Sequence, residues 1–235
     1  MKGVISSFQS LGTVDGPGVR SVVFAAGCPL RCAYCHNPET WEKKGEEREA
    51  AALAEKIFRF YPYIKNGGVT FSGGEPLMQG EFFCELANLL KEKNLSVALD
   101  TSGNWRDDFT LPLLDACGIV LLDIKFTSEE EYARYTRGSL KKAMDFLALS
   151  AAKKKRVWIR QVVLEGVNDG EENAEKLKRL LAPFSGAIEK LELLPFRKIC
   201  QSKYDRMNIV FPCKNLAETS QITLDRMNAV LQAKD

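Results

Sequence analysis

Apolar and polar residues follow two patterns that alternate along the chain: one predicts strands and the other predicts helices. Short apolar runs such as Val69–Ser72 and Val157–Leu164 are typical of strands buried on both faces. Longer stretches repeat apolar residues at helical spacing, as Phe82, Leu86 and Leu89 do. The predicted strands are Arg20–Phe24, Val69–Ser72, Leu95–Asp100, Ile119–Lys125, Val157–Leu164 and Ile188–Leu194; the predicted helices are Glu46–Arg59, Gly80–Lys93, Arg106–Ala116, Glu129–Ala152, Glu171–Leu181 and Glu218–Ala233.

The alternation of strands with helices favours a parallel sheet that is covered by helices. Six strand–helix units fit an open barrel better than a closed eight-fold one, for which about 250 residues are typical. We therefore expect an α/β fold, a partial (β/α)6 barrel resembling a TIM barrel. No repeat, low-complexity tract or linker rich in proline and glycine interrupts the sequence, so we predict one domain over residues 1–235.

Composition excludes several classes of protein. The formal net charge of +2 gives no electrostatic reason to expect nucleic acid as the main partner. The first residues lack the apolar stretch of a signal peptide, and no segment approaches the roughly 20 apolar residues of a membrane span. Seven cysteines, an odd number with four widely scattered, do not form a disulfide framework. We expect a cytoplasmic protein that binds neither nucleic acid nor membrane.

Three of these cysteines are closely spaced in the run Cys28-Pro29-Leu30-Arg31-Cys32-Ala33-Tyr34-Cys35-His36. Three thiolates can hold three irons of a four-iron cluster and leave the fourth free to bind a ligand, whereas four cysteines would complete an electron-transfer cluster. A zinc site that includes His36 is the alternative, but Cys35 and His36 are adjacent and poorly placed to ligate one ion tetrahedrally. Because His36 is the only histidine, multi-histidine metal sites are excluded.

Polar residues follow the predicted strands at their carboxyl ends, where barrel folds place their chemistry. The paired glycines of Ser72-Gly73-Gly74-Glu75-Pro76 permit a close approach of the backbone to a ligand. Asp100 ends one strand, and the period of two places Asp123 and Lys125 on one face of the next. A structural ion pair would explain one such motif alone. Their succession, together with Arg160 in an apolar strand, favours a ligand that carries both an amine and a carboxylate, such as S-adenosylmethionine (SAM).

These motifs, in this order, resemble those of the pyruvate formate-lyase activating enzymes, a family of the radical SAM superfamily. The resemblance covers nearly the whole chain, and the combination is very specific although each later motif is modest by itself. Besides the cysteine run, it is carried by Ser7-Phe8-Gln9-Ser10-Leu11-Gly12-Thr13-Val14-Asp15-Gly16-Pro17-Gly18-Val19-Arg20, Gly67-Gly68-Val69-Thr70-Phe71-Ser72-Gly73-Gly74-Glu75-Pro76, Leu99-Asp100-Thr101-Ser102-Gly103, Leu121-Leu122-Asp123-Ile124-Lys125, Val157-Trp158-Ile159-Arg160 and Leu191-Glu192-Leu193-Leu194-Pro195-Phe196.

The resemblance implies the partial barrel of the radical SAM type and an oxidoreductase reaction. In that reaction a reduced [4Fe-4S] cluster passes one electron to SAM, and the resulting 5′-deoxyadenosyl radical removes a hydrogen atom from one glycine of a partner enzyme. The implied protein substrate is pyruvate formate-lyase or a close glycyl-radical enzyme of anaerobic metabolism. The implied electron donor is a flavodoxin or ferredoxin, and we expect the activase to be a monomer.

The resemblance also implies roles for individual residues. The cluster ligands would be Cys28, Cys32 and Cys35. The residues in contact with the methionine amino group would be Gly73, Gly74 and Glu75. Further SAM-binding residues would be Tyr34, Asp100, Asp123, Lys125, Arg160 and Arg197. A monovalent cation could be surrounded by Asp100, Thr101, Asp123 and the carbonyl of Leu121, since oxygen ligands suit a hard cation. Asp15, in the loop expected to face the glycine-bearing peptide, and Lys125 would be catalytic.

One region departs from the family pattern and leaves alternatives open. Arg197 stands where a histidine is expected, and an arginine cannot accept a proton near neutral pH. The following segment, Lys198–Tyr204, also departs, so the target enzyme could differ; Cys200 within it could be exposed and redox-active. Alternatives are activation of anaerobic ribonucleotide reductase, a small-molecule rearrangement like that of 7-carboxy-7-deazaguanine synthase, or a non-catalytic zinc or iron–sulfur protein. The basic run Lys153–Arg156 is either a solvated helix end or a docking patch for an acidic redox partner.

Overall fold

Eight strands form one open sheet in the computed structural model, which describes residues 1–233. They are β1 (Lys2–Gly12), β2 (Arg20–Ala25), β3 (Glu46–Glu49), β4 (Gly68–Gly73), β5 (Val97–Thr101), β6 (Ile119–Asp123), β7 (Arg156–Val163) and β8 (Ile188–Pro195). Their order in the sheet is β3-β1-β2-β4-β5-β6-β7-β8. β2 and β4 to β8 run parallel to one another, whereas β1 is antiparallel to both of its neighbours.

Seven helices lie between successive parallel strands and two follow β8, within the part of the chain that the structure describes. They are α1 (Ala50–Phe58), α2 (Tyr61–Ile64), α3 (Gly80–Glu92), α4 (Thr110–Ala116), α5 (Glu129–Thr136), α6 (Leu140–Ala152), α7 (Glu171–Leu181), α8 (Gln201–Arg206) and α9 (Gln221–Gln232), with short 3-10 turns at Pro38–Thr40, Pro76–Gln79 and Ala182–Phe184. Within residues 1–233, none of the helices has the length and apolar character that a membrane crossing requires.

The two faces of the sheet differ in chemistry because successive side chains of a strand point to opposite sides. Leu99 and Leu122 face the helices and belong to the main core. Ala98, Ile119 and Leu121 form a small separate apolar cluster on the other face. Two residues further along β5 and β6, this second face carries the acidic side chains of Asp100 and Asp123. We call it the inner face of the sheet; it is apolar toward the amino ends of the strands and charged toward their carboxyl ends.

All six predicted strands are present and parallel, but the sequence analysis missed β1 and β3. The predicted helix Glu46–Arg59 was wrong at its start, because Glu46–Glu49 is a strand that pairs with β1, Glu46 lying opposite Ile5. Local charge and helix propensity did not reveal this pairing with a segment more than 40 residues away, since strand formation depends on the partner strand. Charged residues on such an edge strand also oppose pairing with other chains.

The predicted helix Glu129–Ala152 is two helices. Arg137 adopts a left-handed conformation, with φ of 57°, and ends α5. Ser139 then begins α6 as its N-cap, its hydroxyl oxygen accepting a hydrogen bond from the Lys142 amide. Apolar periodicity continued through both helices, and it concealed the break between them.

The basic run Lys153–Arg156 has structural partners. Lys153 pairs with Asp115 at 2.9 Å, and Lys155 donates to the carbonyls of Asp115 and Cys117 at the end of α4. Unpaired carbonyls at a helix end need such donors. These contacts support the reading of the run as a helix end.

Candidate functional site

The cysteine loop follows β2 at the carboxyl edge of the sheet and lines a cavity of about 280 Å³. Cys32 is buried, and Cys28 and Cys35 are partly buried; all three are free thiols. The backbone amides of Arg31 and Ala33 donate to the last carbonyls of the α5 region, at Thr136 and Tyr135. The loop is therefore held in place by backbone hydrogen bonds to α5, and its three sulfur atoms are free to bind a ligand.

Burial keeps these thiols protonated in the metal-free protein. Desolvation raises the pKa of Cys28 and Cys35 to about 12 and raises that of Cys32 as well. Cluster binding must therefore displace protons from them. Within the described residues, 1–233, no three His, Cys, Asp or Glu side chains are arranged to hold a single metal ion. Nε2 of the His36 ring lies 2.9 Å from the Arg197 carbonyl oxygen.

Arg160 joins the acidic ends of two neighbouring strands. Its Nε donates to Asp123 at 3.0 Å, and its Nη2 donates to Asp100. Lys125 Nζ lies 3.0 Å from the other Asp123 oxygen, and the Ser72 hydroxyl donates to Asp100 at 2.7 Å. Burial alone would raise the pKa of Asp123, but Arg160 and Lys125 together hold it below its usual value. These strand-end charges therefore lie together at the carboxyl edge of the sheet.

In the turn after β4, the backbone of Gly73 and Gly74 faces the cavity, whereas the side chain of Glu75 is buried in the protein interior. Gly73 has a φ of +106°, and a Cβ on Gly74 would lie 2.2 Å from the Gly27 carbonyl oxygen, so only glycine fits there. Both glycines line the cavity. Glu75 is fully buried and accepts hydrogen bonds from the Thr101 hydroxyl and from both the amide and the hydroxyl of Ser102. Its carboxylate therefore joins two loops behind the cavity wall.

Asp15 reaches the cavity from a loop that precedes β2, and two residues missed by the sequence analysis fix that loop. The Thr70 hydroxyl donates to the Asp15 carbonyl at 2.6 Å and accepts from Arg20 Nε at 2.7 Å. Arg20 is fully buried, and its guanidinium also donates to backbone carbonyls, including that of Pro17 in the same loop. A buried cation without a carboxylate partner needs such a set of acceptors. An arginine at the start of an apolar strand was the available signal.

Besides Glu75, which was expected at the SAM amino group but does not line the cavity, three expected residues lie away from the cavity wall or have other partners. The Arg197 guanidinium donates to the Thr219 carbonyl at 2.6 Å and does not line the cavity. Leu121 is buried in the small apolar cluster, below the charged layer formed by Asp100, Asp123, Lys125 and Arg160. Thr101 lines the cavity, but its hydroxyl donates to Glu75. Cys200, for which the sequence left exposure open, is buried: the residue is 1% exposed, and the segment around α8 packs onto the cysteine loop.

The chemistry of this cavity fits an iron–sulfur cluster and an amino-acid head group. The Tyr34 hydroxyl is buried at the cavity and has no hydrogen-bonding partner among the described residues. An unpaired buried hydroxyl is costly, so a polar ligand would supply the missing bond. A cavity of about 470 Å³ beside Lys154 is larger, so the lining rather than the volume identifies the site. The chemically active lining residues are Asp15, Cys28, Cys32, Tyr34, Cys35, Asp100, Asp123, Lys125 and Arg160.

Comparison with known proteins agrees with this chemistry. The family model described as "4Fe-4S single cluster domain" matches residues 14–144, more than half of the chain. The pyruvate formate-lyase-activating enzyme of Clostridium pasteurianum is 40% identical over 217 residues, covering 91% of this chain and 90% of that protein. The pyruvate formate-lyase 1-activating enzyme of Escherichia coli K12 is 34% identical over 235 residues, covering 98% and 95%.

Solved structures with low sequence identity share the fold. A domain of a pyruvate-formate lyase-activating enzyme from Bacteroides vulgatus has a TM-score of 0.59 at 22% identity, covering 70% of this chain and 92% of that one. QueE from Escherichia coli has a TM-score of 0.56 at 20% identity, covering 89% and 92%. The radical SAM neighbours have the partial barrel that the sequence predicted, so the fold class is confirmed. The extent and identity of the curated matches show that the chain belongs to the family of pyruvate formate-lyase activating enzymes.

Proposed function

We propose that this chain activates a pyruvate formate-lyase by generating a glycyl radical on it. The observation that carries the proposal is that one cavity brings together three free thiols and a set of ion-paired side chains suited to an amino-acid head group. When bound, the cluster supplies an electron and SAM supplies the carbon-centred radical that takes a hydrogen atom from glycine. The protein contributes ligation, orientation and exclusion of water.

Cys28, Cys32 and Cys35 would hold the [4Fe-4S] cluster through their thiolates. Their number leaves one iron without a protein ligand, which suits a cluster that also binds a substrate. The loop that carries them is fixed at its middle by backbone hydrogen bonds to the end of α5, so the sulfur atoms keep their places while a ligand exchanges.

The charged layer would bind the amino-acid end of SAM. Lys125 and Arg160 supply cations for its carboxylate, and the backbone of Gly73 and Gly74 lies at the cavity to meet its ammonium group. Asp123 holds both cations in place, at 3.0 Å from each. We assign Glu75 to the support of this turn, because its hydrogen bonds are made to Thr101 and Ser102. Tyr34 would complete the site through its unpaired hydroxyl.

A monovalent cation is a further part of the proposal. It would take oxygen ligands from Asp100, Thr101, Asp123 and the Leu121 carbonyl. Because Arg160 already binds both carboxylates, a cation there would share them with the guanidinium.

Asp15 would meet the glycine-bearing segment of the protein substrate. Asp15 lines the same cavity as the cysteines, and its backbone is fixed through Thr70 and Arg20. The Arg197 guanidinium would anchor the segment that follows β8, through the Thr219 carbonyl. Around this site we propose a cytoplasmic, monomeric activase of one domain, with a flavodoxin or ferredoxin as electron donor.

Isotope transfer tests this function. The reconstituted chain, SAM and a reductant would be incubated without oxygen with a pyruvate formate-lyase that carries α-deuterated glycine. We expect deuterium in the 5′-deoxyadenosine product by mass spectrometry, and none with the Cys32→Ala variant. Unlabelled 5′-deoxyadenosine from the active chain would contradict hydrogen abstraction from glycine.

A further inference from the structure

Two side chains of the segment after β8, Lys203 and Tyr204, bind the carboxyl-terminal end of the cysteine loop. Lys203 Nζ, on α8, donates to Asn37 Oδ1 at 2.6 Å and lies 2.5 Å from Glu39 Oε1. The neighbouring Tyr204 donates its hydroxyl hydrogen to the Cys35 carbonyl at 3.1 Å. These partners are more than 160 residues apart in the chain. The contacts therefore join the third cysteine to a distant element.

Lys203 acts on the sulfur of Cys35 through Asn37. The amide of Asn37 donates to Cys35 Sγ at 3.4 Å, while its side chain accepts the bond from Lys203. Hydrogen bonds to ligand sulfurs, and the residues that orient their donors, tune iron–sulfur clusters. Lys203 therefore fixes the residue that supplies an N–H···S bond to a candidate cluster ligand.

Tyr204 acts on the same cysteine through a rigid aromatic contact. Its side chain is fully buried, with its ring 4.6 Å from that of Phe211 and edge-on to Trp41 at 6.0 Å. A ring packed on two sides holds its hydroxyl in one place. The Cys35 carbonyl is thereby fixed from outside the loop.

We propose that Lys203 and Tyr204 are positioning residues for the cluster, holding Cys35 in its ligating geometry. The inference rests on the proposed function, since it takes Cys35 as a cluster ligand. The competing reading is that Lys203 makes an ordinary surface ion pair with Glu39, their side chains being 30% and 41% exposed. Such pairs contribute little to stability. That reading predicts no change at the cluster when either residue is altered.

Two test variants and two controls distinguish these interpretations. Tyr204→Phe removes only the hydroxyl and keeps the aromatic packing. Lys203→Met removes the donor to Asn37, and Lys203→Arg retains a donor and the charge. Lys214→Met is the matched control, because it removes the same charge from the same segment. The chain would be reconstituted with iron and sulfide, and iron release to a chelator and the cluster reduction potential would be measured without oxygen.

We expect Tyr204→Phe and Lys203→Met each to release iron about fivefold faster, the size expected for one lost hydrogen bond. Lys203→Met should also shift the reduction potential to more negative values, since a weakened N–H···S bond stabilises the reduced cluster less. Lys203→Arg should largely restore both quantities, and Lys214→Met should change neither. If both test variants release iron as slowly as the unaltered chain and have the same reduction potential, this inference is overturned and the proposed function is not. An unaltered chain that binds no cluster would overturn the proposed function with it.

Discussion

Thr101 donates its hydroxyl hydrogen to Glu75 at 2.6 Å, which joins the turn after β4 to the carboxyl end of β5. Ser102 adds two further bonds to the same carboxylate, from its amide and its hydroxyl. Because Gly73 and Gly74 precede Glu75 directly, this buried network sets the backbone that faces the cavity. Removing an acceptor from it would leave buried donors without partners, which is costly.

Glu75→Gln should therefore destabilise the metal-free chain. The glutamine NH2 group would face a backbone N–H that needs an acceptor, either that of Ser102 or that of Leu77, so we expect a loss of about 1–3 kcal/mol in the free energy of unfolding. Urea denaturation measures this loss. Glu81→Gln, at an exposed position of α3, is the matched control and should change stability by less than about 0.5 kcal/mol. Equal stability of the two variants would contradict the role assigned to Glu75.

The stability gap between the unaltered chain and Glu75→Gln should depend on pH. Burial raises the pKa of Glu75 above its ordinary value of 4.5, so the folded chain keeps this proton to a higher pH than the unfolded chain does. As pH rises from 4.5 through the folded pKa, the unaltered chain loses stability relative to the glutamine variant. Urea denaturation at a series of pH values should show that the difference in the free energy of unfolding between the unaltered chain and Glu75→Gln decreases as the pH rises above 4.5. A gap that widens with pH would show that the folded state lowers this pKa instead.

Arg160→Met should be among the most damaging single changes on the inner face. It would leave the partly buried Asp100 and Asp123 without their shared cation. Breaking a fully buried pair costs about 3–5 kcal/mol, which is the upper bound for this site. Arg156→Met, on the same strand, removes an exposed ion pair with Glu189 and should cost no more than about 1 kcal/mol. Denaturation of both metal-free variants compares them directly. A similar cost for the two would refute the bridging role of Arg160.

Lys125→Met should weaken SAM binding while leaving the cluster intact. Lys125 lines the cavity. A hydrogen bond to a charged group contributes about 1.5–3 kcal/mol, so its loss corresponds to roughly a tenfold loss of affinity or more. Anaerobic equilibrium dialysis with labelled SAM gives the affinity, and iron analysis gives the cluster content. Lys141→Met, which removes an exposed cation from α6, is the control. Unchanged affinity would remove Lys125 from the site.

Thr70→Val should disturb the Asp15 loop without touching the cluster. Valine has the shape of threonine but can neither donate to the Asp15 carbonyl nor accept from Arg20. We expect a stability loss of about 1–3 kcal/mol and slower activation of the protein substrate, with SAM affinity unchanged. Denaturation and activation kinetics together provide the test. A variant that activates its partner at the normal rate would show that this loop needs no such anchor.

The sequence predicted the inner-face site well because parallel strands bring their carboxyl ends to one edge. Asp100, Asp123 and Arg160 needed only the strand assignment and the period of two to be placed together. The contacts of Lys203 and Tyr204 with Asn37 and Cys35 had no local signal, since they depend on how a short helix folds back over the chain. The orientation of Glu75 away from the cavity was likewise set by partners on another strand.

The central claim is that this chain makes a glycyl radical on a pyruvate formate-lyase. The most direct measurement is electron paramagnetic resonance of an anaerobic mixture of the reconstituted chain, reductant, SAM and that enzyme. Our account predicts a glycyl radical signal that appears with one 5′-deoxyadenosine per spin and is absent with Cys32→Ala. Cleavage of SAM to 5′-deoxyadenosine with no glycyl signal on the partner would contradict it.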